Sequence, residues 1–239
     1  MEKSSALYVC AIDIGNRGDN TARVVECVRN ADIVFVESFR EGGAFLAHAG
    51  IRREMLEVSE HSTESELNTY IQRIVSGKLT AAIISDCGAP LVEDPGRTLV
   101  RLAYAHGIRV IPLPGASSLT ALLMATPFPI KHFTYYGLLP RDRPERNAEC
   151  RKLAALPYPV VLLDTPYRFN DVLAAIGGTF SHHREIVIGF DLTSAAEEIF
   201  YGTLGDAVGR FGAVKQKKRE FILVINASGT ATAKPRQNG

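Results

Sequence analysis

Residues 81–84, Ala-Ala-Ile-Ile, run directly into Ser85-Asp86-Cys87-Gly88-Ala89-Pro90-Leu91-Val92-Glu93-Asp94-Pro95-Gly96. An apolar run of strand length thus ends in a loop dense in Gly, Pro and Asp. From residue 96 to 106 the apolar spacing then changes to three and four, the helical period. A buried strand, a tight loop and a covering helix, in that order, form the repeating unit of a parallel sheet. The same alternation extends outward. Residues 7–12 (LYVCAI), 33–36 (IVFV) and 109–113 (RVIPL) read as strands, and 21–31 and 64–76 as helices. Asp19 or Asn20 is the expected N-cap of the first helix, while Gly77 and Gly107 are the expected stops of the helices before them. The expected fold is α/β, with a mostly parallel sheet in an N-terminal domain.

The texture changes after Pro114. A small-residue helix at 117–125 leads to an apolar stretch at 133–136 and a charged segment, RDRPERNAECRK, at 141–152. Strands are expected at 160–163, 185–190 and 221–225, with a helix at 169–176. Short connections after Asp191 point to a mixed sheet in this half. The expected domains are 1–113, an N-terminal α/β domain on the substrate side, and 114–226, a C-terminal α/β domain on the cofactor and dimerisation side. A flexible tail is expected at 227–239, where periodicity ends.

Composition removes several functions. With 46% hydrophobic and 22% charged residues the 239-residue chain is ordinary globular material, so disorder and coiled coil are excluded. The 27 Lys and Arg against 26 Asp and Glu leave a net charge of +1, with no global attraction to nucleic acid. Residues 110–130 carry no charge, but Pro112, Pro114, Gly115, Pro127 and Pro129 break them up, so no membrane span is expected. Cys10, Cys27, Cys87 and Cys150 form no C-x-x-C pair and have no His at ligand spacing. Unbridged thiols in a reducing cytoplasm are expected, with no metal. No signal peptide is expected from the first residues.

Ligands of open parallel sheets sit beyond the carboxyl ends of the strands, so the loops there carry the chemistry. They are 13–20, 37–43, 85–96, 114–118 and 164–168, and all five are assigned to one sheet edge. Each taken alone is equally a turn or a helix cap. None is a phosphate-cradling P-loop, no G-x-G-x-x-G follows a strand and no G-x-S-x-G elbow occurs, so nucleoside triphosphate, nicotinamide and serine-hydrolase chemistry lack support. His182-His183 reads as an exposed loop pair.

Taken together, IGNRGDNT (14–21), ESFR (37–40), SDCGAPLVEDPG (85–96), PLPGAS (112–117) and GLLPR (137–141) resemble the tetrapyrrole methylase superfamily. Within it they resemble the branch that 2′-O-methylates a cytidine of small-subunit (16S) ribosomal RNA. DTPYR (164–168), DLTSAAEE (191–198) and YGTL (201–204) are weaker matches, and the resemblance spans about residues 7–225. It implies a two-domain homodimer holding S-adenosylmethionine in a cleft between domains. By position, Ile14, Cys87, Gly88, Ala89, Val92, Ser117 and Ser118 would touch the cofactor, and Asp164 and Leu192 would close the pocket. Glu37 and Arg40 are the leading substrate-side pair, Glu37 to polarise or deprotonate a ribose hydroxyl and Arg40 to hold a phosphate. Asp94 is a second candidate, with helix capping as its alternative role. Asp86 is either functional or an Asx-turn residue.

Several positions depart from the family pattern. Ala11-Ile12-Asp13 stands where P-T-P is usual, Ser38-Phe39 where Asp-Thr is usual, and Asp164-Thr165 where Glu-Ser is usual. Many relatives continue into a further helical segment beyond the position matching residue 225. The partner implied is ribosomal RNA or the small ribosomal subunit, contacted by basic clusters at 141–152 and 215–219. The alternatives are a methyltransferase acting on a tetrapyrrole or other small metabolite, and a non-catalytic S-adenosylmethionine-binding relative.

Overall fold

A computed structural model describes residues 5–212 and 218–227. The chain splits into two units, Met1–Ser117 and Ser118–Gly239. The expected tail from residue 228 on, and residues 215–217 of the second basic cluster, lie outside the described residues.

The first unit is built from β1 (Ala6–Cys10), α1 (Ala22–Asn30), β2 (Ile33–Val36), α2 (Phe39–His48), β3 (Glu54–Glu57), α3 (Glu64–Ser76), β4 (Thr80–Ile84), α4 (Arg97–Ala105) and β5 (Arg109–Leu113). The strands form one sheet, in the order β3-β2-β4-β1-β5, and every pairing is parallel. Alternation along each strand sends Leu7, Phe35, Ala81 and Ile83 to the face covered by α3 and α4. Cys10, Val34, Val36, Ala82 and Ile84 point to the opposite face, under α1 and α2. Pro112 lies in β5, a sheet edge, where its missing N–H breaks no ladder bond.

This winding positions the site. The chain leaves β1 and β2 toward α1 and α2 on one face, and leaves β4 toward α4 on the other. At β4, flanked by β1 and β2, the connections therefore diverge, which opens a crevice at the carboxyl edge.

Local chemistry explains two departures from expectation. Residues 39–43, expected as part of a loop, belong instead to α2. Ser38 caps it, its side chain accepting from the Glu41 N–H at 3.3 Å. The Gly42-Gly43 pair that suggests a turn is instead a packing requirement, since a Cβ on Gly42 would come within 2.4 Å of Val36 Cγ1. Thr21, rather than Asp19 or Asn20, caps α1, accepting from the Val24 N–H at 3.1 Å. Gly77 and Gly107 do end their helices, Gly107 at φ +69°.

The second unit contains α5 (Ser118–Met124), β6 (Thr134–Gly137), α6 (Arg143–Ala154), β7 (Val160–Asp164), α7 (Phe169–Gly177), β8 (Glu185–Phe190), β9 (Glu198–Thr203), α8 (Leu204–Phe211) and β10 (Phe221–Ile225). Its sheet runs β6-β7-β10-β8-β9, with only β6 and β7 parallel, so it is mixed as expected. Helices α6, α7 and α8 bury one face around Phe169, whose ring packs at 4.9 Å from Phe221 and 5.1 Å from Phe190. On the other face Leu122 of α5 meets Gly189, where a Cβ would come within 3.1 Å of its Cδ1. The segment at 141–152 is helical through most of its length, with Asp142 as N-cap for α6. The loop at 164–168 follows a strand of this second sheet, so only four of the five loops share the first unit's edge. Among the described residues no helix is long and apolar enough to cross a membrane.

Candidate active site

Three of the four loops at the edge of the first sheet, those after β1, β4 and β5, meet through main chain. Gly88 N–H donates to the Asp13 carbonyl at 3.1 Å, and Ile12 N–H donates to the Gly88 carbonyl at 2.9 Å, so the loops after β1 and β4 lie side by side. Gly88 has φ +72° and Ile14 sits over it, 3.1 Å from where a Cβ would be. Gly115, after β5, packs on Ala11, and a Cβ there would fall 2.5 Å from the Ala11 carbonyl oxygen. These glycines allow backbone to approach backbone where side chains would separate it.

Side chains complete the lattice. The Asp86 carboxylate Oδ1 accepts the Ser38 N–H at 3.1 Å and the Ser38 hydroxyl at 2.8 Å, while the Asp86 N–H donates to Glu37 Oε2 at 3.0 Å. Asp86 is therefore a bridge between the β2 and β4 loops rather than an Asx-turn residue stabilising its own loop. Ser85 is buried, and its hydroxyl donates to the Cys87 carbonyl at 3.0 Å. Arg97 holds the far end of the loop, donating to the carbonyls of Leu91 (3.0 Å) and Val92 (2.7 Å). Asp13 is buried and already engaged by Arg17 (3.0 Å) and Asn20 (2.7 Å), so it closes its own loop.

Three carboxylates gather at this edge. Burial raises the Glu37 carboxyl above the ordinary range, and the negative charges of Asp86 and Glu60 add to this against the Asp86 N–H. Burial pushes Asp94 up to about 6, with Glu37 as the next cause; the Ser85 hydroxyl opposes the shift, and Asp86 and Glu93 add to it. Asp94 does not cap the following helix, because Gly96 is the N-cap of α4 and no side chain bonds to it. An acid perturbed to near neutrality beside a second acid is the arrangement from which general bases are made.

The remaining expected residues are placed as follows. Cys87 and Val92 are exposed, and Ile14, Ala89, Ser117 and Ser118 are half-buried. Arg40 lies in the first turn of α2 with its side chain 89% exposed and pairs with Glu41 at 2.6 Å, not with Glu37. In the second unit, buried Asp164 accepts the Thr165 N–H at 2.7 Å and one Arg168 N–H at 3.2 Å. Burial nevertheless leaves its carboxyl raised. Leu192 is a core residue set against Gly189.

Two arginines carry roles that sequence reading does not assign. Arg168 donates to the carbonyls of Leu139 (2.9 Å) and Pro140 (2.8 Å), and buried Arg146 donates to those of Pro140 (3.1 Å) and Arg141 (2.7 Å). The GLLPR segment is thus fixed through its backbone by two buried guanidinium groups. Arg146 belongs to a cluster expected to face RNA and does not, whereas Arg141, Arg143 and Arg151 are exposed. In the second cluster Arg219 is occupied by Asp191 and Glu198, each at 2.6 Å.

Comparison with known proteins agrees with this architecture. The chain is 36% identical to the ribosomal RNA small subunit methyltransferase I of Mesorhizobium japonicum, over 96% of this chain and 76% of the relative. It is 32% identical to the protein of that name from Xylella fastidiosa, over 98% of this chain and 85% of the relative. Among solved structures, the methyltransferase CobJ superposes with a TM-score of 0.68 at 18% identity, covering 94% of this chain and 95% of CobJ. Uroporphyrin III C-methyl transferase from Thermus thermophilus gives a TM-score of 0.62 at 17% identity, covering 93% and 97%. These two similarities are of fold. Residues 6–208 match the model of one family, and the chain belongs to it: the Tetrapyrrole (Corrin/Porphyrin) Methylases.

Proposed function

We propose that this protein is an S-adenosylmethionine-dependent methyltransferase that methylates a ribose 2′-hydroxyl of a cytidine in small-subunit ribosomal RNA. The observation that carries the substrate class is similarity over nearly the whole chain, at 32% and 36% identity, to the ribosomal RNA small subunit methyltransferases I of Xylella fastidiosa and Mesorhizobium japonicum; the cytidine 2′-hydroxyl is what the resemblance of the loop motifs implies. Likeness to CobJ and to uroporphyrin III C-methyl transferase at 17–18% identity supports the fold and does not favour a tetrapyrrole substrate.

The first unit's edge suits a sulfonium cofactor. The exposed stretch at Pro114-Gly115 presents main chain without bulky side chains, and Glu37, Asp86 and Asp94 supply negative charge at the same edge. Bound S-adenosylmethionine supplies a methyl group on positively charged sulfur. In this reading Ile14, Cys87, Gly88, Ala89, Val92 and Ser117 are the cofactor contacts at the first unit's edge. Asp94, with a carboxyl near pH 6, is largely ionised at neutral pH and basic enough to take the hydroxyl proton. Glu37 orients that hydroxyl, and Arg40, held only by an exposed ion pair, turns to a phosphate. The exposed Arg141, Arg143 and Arg151 add local positive charge on a chain of net charge +1.

The reading carries with it a homodimer in the cytoplasm, where small subunits are; sedimentation at two concentrations checks the former. The activity itself is tested with labelled S-adenosylmethionine and small subunits that lack the mark. Glu37→Gln and Asp94→Asn are expected to lower turnover roughly 100-fold or more, with cofactor affinity retained.

A further inference from the structure

Helix α2 carries its apolar face as a stripe through Gly42, Phe45 and Leu46, all buried against the first sheet. Phe39 belongs to that stripe by helical spacing, three residues before Gly42 and seven before Leu46. It is nevertheless 51% exposed. The reason is its position along the helix axis. Gly42 packs on Val36, the last residue of β2, so one turn earlier the stripe overhangs the carboxyl edge of the sheet. Ser38, bonded twice to Asp86, fixes that first turn in place.

Two glycines keep the ring bare. Helical side chains lean toward the N-terminus, so the residues three and four places on would cover Phe39, and these are Gly42 and Gly43. Gly42 is required by Val36, whereas a Cβ on Gly43 would meet Met55 Cε at an ordinary 3.9 Å. Packing does not demand glycine at 43, where it weakens the helix relative to alanine. A single exposed apolar side chain is ordinary. An uncovered ring between Glu37 and Arg40, at the edge that gathers the carboxylates, has the form of a stacking platform.

We propose that the base of the target nucleotide stacks on the ring of Phe39 while Glu37 engages its ribose. The inference rests on the ribose-methylation reading and adds to it a residue that holds the substrate. Two residues separate Glu37 from Phe39, no more than about 7 Å of chain, which one nucleotide spans from hydroxyl to base. A flat apolar face accepts any base, so the platform supplies affinity and fixes the ribose without itself selecting the base. Stacking also requires a base free of its neighbours, so the target lies in a single-stranded or opened segment of the RNA.

The chain contains no tryptophan, so Phe39→Trp places a single fluorescent reporter at this position. Its emission should be quenched on titration with small subunits lacking the methyl mark and unchanged by S-adenosylmethionine alone. In transfer assays on the same subunits, Phe39→Ala should raise KM for the subunit roughly 10-fold or more, with the melting temperature and the calorimetric affinity for S-adenosylmethionine retained. Phe39→Tyr, which keeps a ring, should recover most of that loss. Gly43→Leu leaves Phe39 in place but lays a side chain over it, and should raise KM as well. Transfer by the unchanged chain with the same KM in Phe39→Ala overturns the proposal and leaves ribose methylation standing. So does Phe39→Trp emission that responds to the cofactor and not to the subunits. No transfer by the unchanged chain overturns both.

Discussion

The Asp86 carboxylate accepts both the main-chain N–H and the hydroxyl of Ser38, at 3.1 and 2.8 Å, across 48 residues of chain. That clamp joins the β2 and β4 loops and holds Glu37 at its place beside the edge. Asp86→Ala leaves a Ser38 donor unpaired and is expected to cost about 1–3 kcal/mol. Ser38→Ala, which also removes the α2 cap, is expected to cost about 1 kcal/mol. Urea denaturation of both single variants and the double variant should show coupling of at least about 0.5 kcal/mol. Strict additivity would show that the two side chains act independently.

Asp94 sets a pH dependence with a definite sign. Its native value of about 6 lies above its ordinary 3.8, so the folded chain holds this proton more tightly than the unfolded one. The stability it contributes is present below about pH 4 and is lost as pH rises through 6. Asp94→Asn should therefore be the more stable chain at pH 7.5, by about 1 kcal/mol after allowance for solvent screening. The advantage should vanish toward pH 4. In the same account the acid limb of kcat/KM falls near pH 6.

Gly115 and Gly88 mark where backbone approaches backbone. A Cβ at Gly115 meets the Ala11 carbonyl oxygen at 2.5 Å, so Gly115→Ala must displace one of the two loops. A loss of about 1–3 kcal/mol is expected, together with loss of S-adenosylmethionine binding by calorimetry. Gly88→Ala, at φ +72°, is expected to cost about 1 kcal/mol from backbone strain alone.

The arginines of the second unit should separate into two kinds. Arg168→Leu strands the buried Asp164 and two carbonyls and is expected to cost about 3–5 kcal/mol. Arg146→Leu should likewise lower thermal stability. Arg143→Glu, on the exposed side of α6, should leave the melting temperature unchanged while weakening RNA binding and flattening its salt dependence. A stable Arg146→Leu variant with weakened RNA binding would reverse this assignment.

Strands β1, β2, β4 and β5 and the switch of texture after Pro114 are legible in the sequence because buried parallel strands are nearly continuous apolar runs. Strand β3 is not, because Glu54 and Glu57 flank only two apolar residues in a strand paired on one side. Helix α2 hides behind Gly42-Gly43, whose need for space under Val36 is a tertiary fact. The gathering of Glu37, Asp86 and Asp94 follows from reading loops at strand ends, but the bridge from Asp86 to Ser38 depends on β2 and β4 being neighbours. Assigning residues 164–168 to the same edge fails for a related reason, since a strand's sequence does not name its sheet. Nothing in the run RDRPER distinguishes buried Arg146 from exposed Arg143.

The central claim is ribose methylation of small-subunit RNA, and one measurement bears on it most directly. The protein is incubated with methyl-labelled S-adenosylmethionine and small subunits from cells lacking the mark, and the RNA is then digested with alkali. The account predicts label in an alkali-resistant dinucleotide containing cytidine, the signature of a blocked 2′-hydroxyl. That label should be lost with Glu37→Gln or Asp94→Asn while calorimetry still records cofactor binding. Label on a base, or none in RNA under conditions where the Mesorhizobium japonicum relative labels the same subunits, would contradict it.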